Sequence, residues 1–228
     1  MRYYNGVLWS DCMGIYKVWA CGDVLVDSRD AQSYTTVLKG TQCWMAENLN
    51  IGIMLSIMQH NQLDNGIYEK HCLNYNESNC DTYGGLYQWY EMMQYTTEPG
   101  TQGICPDGWH LPSDAEWCTL ENEVDAGTVS CSSTGWRGID AGGNLKETLT
   151  HHWNPPNTGA TNSSGFTALP GGYYDSNTFN STALSAIWTS SELGSNAWSR
   201  WLGCESAQVW RTPNPQKIHG LSVRCVRD

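Results

Sequence analysis

The chain has 228 residues, a formal net charge of -11 and a mean hydropathy of -0.47. This acidic balance argues against nucleic acid and anionic membranes as partners, because binding to phosphate groups requires clustered Lys and Arg. The chain contains 12 Trp and 12 Tyr but only 2 Phe, together with 23 Gly. Such a mixture is typical of a loop-rich β or mixed fold whose aromatic rings keep one polar edge in solvent.

Residues 1–33 are interpreted as a polar and aromatic N-terminal extension, in which residues 24–26 predict a short strand, and a ligand-binding domain is predicted over 34–228. The run 34–38 and the run 42–45 predict two strands joined by a turn at Lys39-Gly40. Residues 51–82 show no periodicity and predict a long irregular loop. Apolar residues then recur at helical spacing from Leu86 to Met93, which predicts a helix over 86–95.

A second helix is predicted to begin after Ser113. Ser113 has the properties of an N-cap, and Glu116 follows three residues later, which together make a capping box before Trp117 and Leu120. Beyond residue 127 the chain is rich in Gly, Ser, Thr and Asn, and short strands are predicted at 166–169, 186–189, 198–202, 207–211 and 221–226. Two helices followed by several short antiparallel strands with long loops indicate an α+β domain.

The ten cysteines include no CxxC pair, so a zinc ribbon or a thioredoxin-like motif is not indicated. Short-range pairs instead suit disulfides in an oxidising compartment, namely Cys72 with Cys80, Cys118 with Cys131, and Cys12 with Cys21.

The first residues after Met1 contain no apolar h-region, so no signal peptide is predicted in this sequence. Either a leader was removed, or export occurs by another route, such as release of a virus particle by lysis. No segment approaches the ~20 apolar residues that span a membrane.

Near the end of the chain, residues 198–203 and 207–212 predict two strands joined by the segment 203–206. Because side chains alternate across a strand, one face carries Trp198, Arg200, Leu202, Ala207, Val209 and Arg211. The other face carries Ser199, Trp201, Gln208, Trp210 and Thr212. Two indoles on a face that ought to contact water indicate a binding surface. Trp201 and Trp210 are therefore expected to be exposed, whereas Trp198 and Val209 are expected to be buried.

Other candidate groups have simpler interpretations. Adjacent histidines such as His151 and His152 point to opposite sides of an extended chain, so they are interpreted as a solvated loop pair rather than as metal ligands. His110 is expected to be a hydrogen-bonded core histidine. The run of Glu121, Glu123 and Asp125 at a helix end is expected to form a solvated face. No catalytic residue, metal ligand or cofactor is predicted.

A series of motifs resembles the Fibrobacter succinogenes major paralogous domain, in the right order over roughly 34–228. These motifs occupy residues 40–50, 79–81, 84–89, 103–106, 108–112, 114–117, 165–166, 168–172, 188–192 and 222–226. The resemblance implies a C-type-lectin-like fold, which is also found in formylglycine-generating enzymes and in the phage major tropism determinant. It also implies a disulfide between Cys105 and Cys225. The acidic signatures of calcium-binding lectins are absent, and no acidic cluster offers the 6–8 oxygen ligands that Ca²⁺ requires.

Members of the resembling family are frequent targets of diversity-generating retroelements, which randomise chosen codons near the C-terminus of a receptor-binding protein. The resemblance therefore implies a ligand-binding protein with a hypervariable C-terminal surface, without enzymatic activity. Its partner would be a protein or a glycan on a cell surface, and its location would be extracellular, on a cell surface or on a virion. The alternatives are a carbohydrate-active or formylglycine-generating-type enzyme and a structural cell-surface module.

In this interpretation Trp201 and Trp210 are rigid anchors with a low entropic cost of ordering. The neighbouring polar residues offer adjustable hydrogen bonds, and the two prolines stiffen the loop that follows. The complete set of candidate ligand-binding residues is Ser199, Trp201, Gly203, Cys204, Glu205, Ser206, Gln208, Trp210, Thr212, Pro213, Asn214, Pro215, Gln216, Ile218 and His219.

Overall fold

A computed structural model describes residues 3–4, 7–8, 17–175, 178–180 and 183–228. In these ranges the chain adopts a mixed α+β fold with helices α1 (Glu77–Tyr83), α2 (Trp89–Met92), α3 (Asp114–Val124) and α4 (Ala141–Leu145), and a 3₁₀ turn at Leu73–Tyr75. None of the helices in the described ranges is long and apolar enough to cross a membrane.

The strands are short except in the C-terminal third of the chain. The first half contains β1 (Tyr3–Tyr4), β2 (Val7–Leu8), β3 (Lys17–Val18), β4 (Leu25–Val26), β5 (Ser33–Tyr34), β6 (Thr36–Lys39), β7 (Gln42–Met45), β8 (Ile53–Met54), β9 (Glu69–Lys70) and β10 (Tyr87–Gln88). The second half contains β11 (Gly135–Arg137), β12 (Tyr173–Asp175), β13 (Thr178–Asn180), β14 (Leu184–Leu193), β15 (Asn196–Gly203), β16 (Val209–Thr212), β17 (Gly220–Leu221) and β18 (Val226–Arg227).

The central sheet has the strand order β11-β16-β15-β14, and all of its pairings are antiparallel. A second four-stranded sheet has the order β10-β17-β12-β13, and a three-stranded sheet has the order β18-β7-β6. The hairpin between β14 and β15 turns at Gly194, whose positive φ of 62° suits the tight connection between Leu193 and Asn196.

Apolar residues pack on both faces of the central sheet. Trp188 of β14 belongs to a cluster with Trp89, Trp109 and Leu221. The preceding residue, Ile187, belongs to a different cluster with Trp44, Trp117, Phe166 and Val209. Neighbouring residues enter opposite clusters because side chains alternate along a strand. The central sheet is therefore buried on both sides at β14.

The predicted capping box at the start of α3 is confirmed. The Ser113 hydroxyl accepts a hydrogen bond from the Glu116 N–H (3.2 Å), and the Glu116 carboxylate accepts one from the Ser113 N–H (2.7 Å). Trp117 and Leu120 of this helix are fully buried, as their spacing predicts. The predicted strands at 34–38, 42–45, 186–189, 198–202 and 207–211 also correspond to strands of the structure, within a few residues at their ends.

Four predicted elements differ from the structure. The strand expected over 221–226 is interrupted, since only its ends belong to strands, β17 and β18. The helix expected over 86–95 is only the four-residue α2, because Tyr87 and Gln88 pair with β17 instead, so tertiary pairing overrides local preference. The segment 51–82 is not wholly irregular, since it contains α1, whose N-cap Asn76 accepts a hydrogen bond from the Ser78 N–H. Residues 166–169 form no strand, although Ala168 makes an isolated bridge to Lys146.

Four disulfides join described residues: Cys21–Cys43, Cys72–Cys80, Cys105–Cys225 and Cys118–Cys131. The last three agree with the sequence analysis and with the family resemblance. The pairing of Cys12 with Cys21 is wrong, because Cys21 is bonded to Cys43; Cys12 itself lies outside the described residues. Among the described cysteines, Cys204 carries a free, buried thiol.

Part of the predicted extension is joined to the domain. Besides the disulfide at Cys21, strand β4 pairs with β5, which confirms the strand expected near residues 24–26. The boundary predicted between residues 33 and 34 therefore falls inside β5.

The disulfides are expected to contribute unequally to stability. The Cys105–Cys225 bond closes a span of 120 residues, whereas Cys72–Cys80 closes one of 8. In the chain-entropy model, removing them costs about 5 and about 2.5 kcal/mol respectively. Urea denaturation of the Cys105→Ala/Cys225→Ala and Cys72→Ala/Cys80→Ala double variants measures both values. An equal or smaller loss for the long-range pair would contradict this expectation.

Candidate ligand-binding surface

The C-terminal hairpin formed by β15 and β16 has the two faces that the sequence pattern predicts. In the antiparallel register Trp201 lies opposite Trp210, Ser199 lies opposite Thr212, and Arg200 lies opposite Arg211. The two indoles therefore share one face of the sheet, and the two guanidinium groups share the other.

Four aromatic rings form a continuous row across this face, in the order Trp136, Trp210, Trp201 and Tyr173. Successive ring centroids are 5.4, 6.4 and 4.8 Å apart. Trp136 is 42% exposed and Trp210 is 37% exposed, while Trp201 and Tyr173 are half-buried. We call these four residues the aromatic row. An exposed row of large, rigid side chains offers apolar contact area and polar ring edges to a partner.

Trp201 is less exposed than its sequence position predicts, because its ring also packs against the apolar cluster around Trp188. Its Nε1–H donates to the Ser199 hydroxyl (2.9 Å), which in turn donates to the Thr212 carbonyl (3.1 Å). Ser199 and Thr212 are both buried. These two residues therefore hold the row in place and do not face solvent as expected.

Other candidate residues divide according to exposure. The exposed ones are Glu205, Asn214, Gln216 and Ile218, and the half-buried ones are Ser206, Gln208, Pro213 and His219. Gly203, Cys204 and Pro215 are buried, as Ser199 and Thr212 are. The expectation that the whole set is exposed to solvent is wrong for these five. Ser199 and Thr212 are hydrogen-bonded to each other between β15 and β16. Gly203, Cys204 and Pro215 lie where the backbone packs against the domain.

The opposite face of the hairpin is only partly as expected. Val209 is fully buried, as predicted. The expectation that Trp198 is buried is wrong, since this residue is half-exposed. Its ring lies over the guanidinium of Arg211, whose Cζ is 3.4 Å from the ring centroid. A cation stacked on an indole is stabilised by the negative face of the ring.

A buried ion-pair network lies beneath this opposite face and attaches the sheet to α3. Glu121 accepts hydrogen bonds from Arg137 of β11 (2.8 and 2.7 Å) and from Arg200 of β15. Asp114 accepts hydrogen bonds from Arg200 (2.7 Å) and from Arg211 of β16 (2.9 and 2.7 Å). Helix α3 is thus bonded to three neighbouring strands through two carboxylates.

The sequence predicts that Glu121 lies on a solvated face, and this prediction is wrong. Glu121 is fully buried, whereas Glu123 is exposed as expected. The signal was present, because Glu121 follows Trp117 by four residues and therefore lies on the same side of the helix. Burial alone would raise the pKa of Asp114, but the hydrogen bonds and charges of Arg211 and Arg200 lower it below its ordinary value.

A buried lysine fixes the loop between β15 and β16. Lys146 follows α4 and is fully buried, and its Nζ donates to the carbonyl oxygens of Thr158 (3.0 Å), Gly203 (2.8 Å) and Ser206 (2.8 Å). Burial lowers the pKa of Lys146 to about 8. The loop that carries Glu205 is therefore ordered by a group that sequence analysis did not identify.

The approach of α4 to the same loop requires glycine. A Cβ on Gly142 would lie 2.2 Å from the Gln208 carbonyl oxygen, and the Gly143 N–H donates to the Ala207 carbonyl (2.9 Å). The adjacent glycines in the sequence could have signalled this close backbone contact. Gln208 also donates from Nε2 to the Gly138 carbonyl (2.7 Å), which holds its side chain against the residue that follows β11.

Three of the described histidines have acidic partners. His110 is half-buried, and its Nε2 lies 2.6 Å from Glu116, in agreement with the expected hydrogen-bonded residue. His152 pairs with Glu147 at 2.9 Å, while His151 is exposed. His219 lies 3.0 Å from Asp175, so it is positioned at the edge of the candidate surface by an acidic neighbour.

Comparison with known proteins gives one family. The family model described as the Fibrobacter succinogenes major domain matches residues 37–227. This range includes the aromatic row, the network under α3 and the three disulfides Cys72–Cys80, Cys105–Cys225 and Cys118–Cys131. No curated protein and no solved structure matches the chain.

The ion-pair network generates a stability prediction. Glu121→Ala leaves Arg137 and Arg200 partly uncompensated in the interior and is expected to destabilise the protein by about 3–5 kcal/mol. Glu123→Ala, two residues along the same helix, removes an exposed carboxylate and is expected to change stability by within about 0.5 kcal/mol. Urea unfolding followed by tryptophan fluorescence measures both variants. Similar losses in the two variants would show that Glu121 has no special role.

Proposed function

The chain belongs to the Fibrobacter succinogenes major domain family, and from this membership we propose that it is a receptor-recognition protein with a C-type-lectin-like fold. Its aromatic row and the adjoining loop bind a protein or glycan ligand on a cell surface. The mixed α+β architecture, the antiparallel C-terminal sheet and the Cys105–Cys225 disulfide support the proposed fold.

The aromatic row is the single observation that carries this proposal. Trp136 and Trp210 remain more than a third exposed although the chain buries most of its other tryptophans. Tryptophan and tyrosine are enriched among the residues that contribute most to binding energy at interfaces. Trp201 is hydrogen-bonded to Ser199, and its ring contacts those of Trp210 and Tyr173, which reduces the side-chain entropy that is lost when a partner binds.

Exposed and half-buried residues in the loops next to β15 and β16 supply varied polar groups. Glu205, Gln208, Asn214 and Gln216 differ in charge and in hydrogen-bonding capacity, and Ile218 adds an apolar contact that is 52% exposed. We propose that a diversity-generating retroelement varies these positions together with Trp201 and Trp210. The arrangement supports the proposal because the half-buried Trp201 and Gln208 and the exposed Trp210 alternate with Arg200, Leu202, Val209 and Arg211, which are buried.

The proposed location is extracellular, on a cell surface or on a virion. Four disulfides fit an oxidising environment. The net charge of -11 argues against nucleic acid as the ligand, because phosphate contacts require basic side chains. No enzymatic activity is proposed for this surface.

Binding through the aromatic row is tested on whole cells. Fluorescently labelled protein is titrated against a panel of bacterial cells, and bound protein is measured by flow cytometry. The Trp136→Ala/Trp210→Ala variant is expected to lose about 30-fold or more in affinity, since removal of an interface anchor costs roughly 2 kcal/mol or more.

A matched control replaces two other exposed apolar residues. Ile53 and Ile67 are 55% and 50% exposed and lie in or beside the separate β8–β9 sheet. The Ile53→Ala/Ile67→Ala variant is expected to bind as the wild type does. If both double variants lose affinity equally, or if the tryptophan variant binds as tightly as wild type, the aromatic row is not the binding surface.

Diversification is tested on the coding DNA. The expected finding is a nearby reverse-transcriptase gene and a near-identical template repeat that differs from this gene at adenines. In copies of the gene sequenced from one population, substitutions should concentrate at Trp201, Glu205, Gln208, Trp210, Asn214, Gln216 and Ile218. The codons of Arg200, Leu202, Val209 and Arg211 should stay constant. Substitutions spread evenly over both groups would refute diversification. Ligand binding would still be decided by the cell assay, because the two tests are independent.

A further inference from the structure

Three side chains with metal-binding atoms converge at the start of α3, away from the aromatic row. His110, Glu116 and Asp228 each offer one ligand atom, and these atoms all lie within 4.8 Å of one another. His110 and Glu116 are half-buried, and Asp228 is exposed. No metal ligand is predicted from the sequence, because Asp228 is distant in the chain from His110 and Glu116 and the three residues form no spaced motif.

The backbone places His110 and Asp228 on the same side of the structure. His110 and Val226 form an antiparallel bridge in which the His110 N–H donates to Val226 (2.9 Å) and the Val226 N–H donates to His110 (3.0 Å). Asp228 lies two residues after Val226, so it is the diagonal neighbour of His110. Side chains in this relation face the same way and are close enough for long or polar groups to meet.

The carboxylate of Glu116 is oriented by its own partners. Its Oε2 accepts hydrogen bonds from the N–H (2.7 Å) and the hydroxyl (2.6 Å) of Ser113, while its Oε1 lies 2.6 Å from the His110 Nε2. In metal sites, hydrogen bonds of this kind orient the ligating carboxylate and are part of the site's affinity. Ser113 thus leaves one oxygen of Glu116 directed at His110.

The charges of the cluster favour a divalent cation. With a neutral imidazole the three groups sum to a charge of about -2, which one divalent ion would neutralise, whereas a protonated imidazole would leave about -1. The two carboxylates therefore give the site a net negative charge that attracts a cation.

We propose that His110, Glu116 and Asp228 bind a divalent transition-metal ion of the Zn²⁺ class, with water completing the coordination. One imidazole nitrogen and two carboxylate oxygens are ligands that Zn²⁺ accepts, and tetrahedral Zn²⁺ holds its ligand atoms about 3.3 Å apart. The His110–Glu116 pair must open by less than about 1 Å to reach this spacing. Asp228 is exposed and free to approach. The ion would join the last strand to the first turn of α3.

Zinc binding is measured by isothermal titration calorimetry of ZnCl₂ into the full chain after dialysis against a chelator. One equivalent is expected to bind to the wild type, and His110→Ala and Asp228→Asn are each expected to abolish this binding. Ser113→Ala is expected to weaken it about 10- to 100-fold, as loss of a supporting hydrogen bond does.

His152→Ala is the matched control. His152 also pairs with a carboxylate, that of Glu147 at 2.9 Å, but it is not part of a described group of three ligands. This variant should bind one equivalent of Zn²⁺ with unchanged affinity. Because Asp228 is exposed, Asp228→Asn keeps the test decisive even if His110→Ala fails to fold. No zinc binding by the wild type, or binding that survives Asp228→Asn, would show that the three residues form an ion pair only.

Discussion

The burial of Glu121 is the constraint on which the rest of the C-terminal structure depends. A carboxylate in the interior is costly unless it is paired and hydrogen-bonded, and here guanidinium groups from two strands, Arg137 and Arg200, supply the pairing. Asp114 completes the network by binding Arg200 and Arg211. Because removal of one partner leaves an uncompensated charge, the network tolerates little change in the relative positions of α3 and the sheet.

The network also fixes the register of the hairpin. A shift by one residue would exchange the two faces of a strand, which would place Arg200 in the aromatic row and Trp201 against α3. The exposed position of Trp210 thus follows from the buried position of Arg211 next to it. One face carries the ion pairs that hold the sheet to α3, whereas the other face carries the half-buried Trp201 and the exposed Trp210. This separation is what the proposed diversified binding surface requires.

The loop between β15 and β16 is stabilised in a different way. It has no regular structure of its own, but Lys146 satisfies the Gly203 and Ser206 carbonyls together with that of Thr158. An ammonium group bonded to three carbonyl oxygens replaces the hydrogen bonds that a strand would provide. The side chains of Glu205 and Ser206 can therefore differ while the backbone keeps its course. The Cys105–Cys225 disulfide secures the last strand in a similar way, through a bond that does not depend on the surface residues.

The sequence by itself determined the features that depend on local spacing. Alternation along residues 198–212 gave the two faces of the hairpin, the Ser113–Glu116 spacing gave the start of α3, and the ordered motifs gave the family. Only the tertiary structure decided which side chains are enclosed, because burial depends on residues distant in the chain. Glu121 is buried because of arginines 16 and 79 residues away, and Tyr87 forms a strand because β17 pairs with it. Trp201 is half-buried for the same reason, since Tyr173 and Ala186 contact it from other strands.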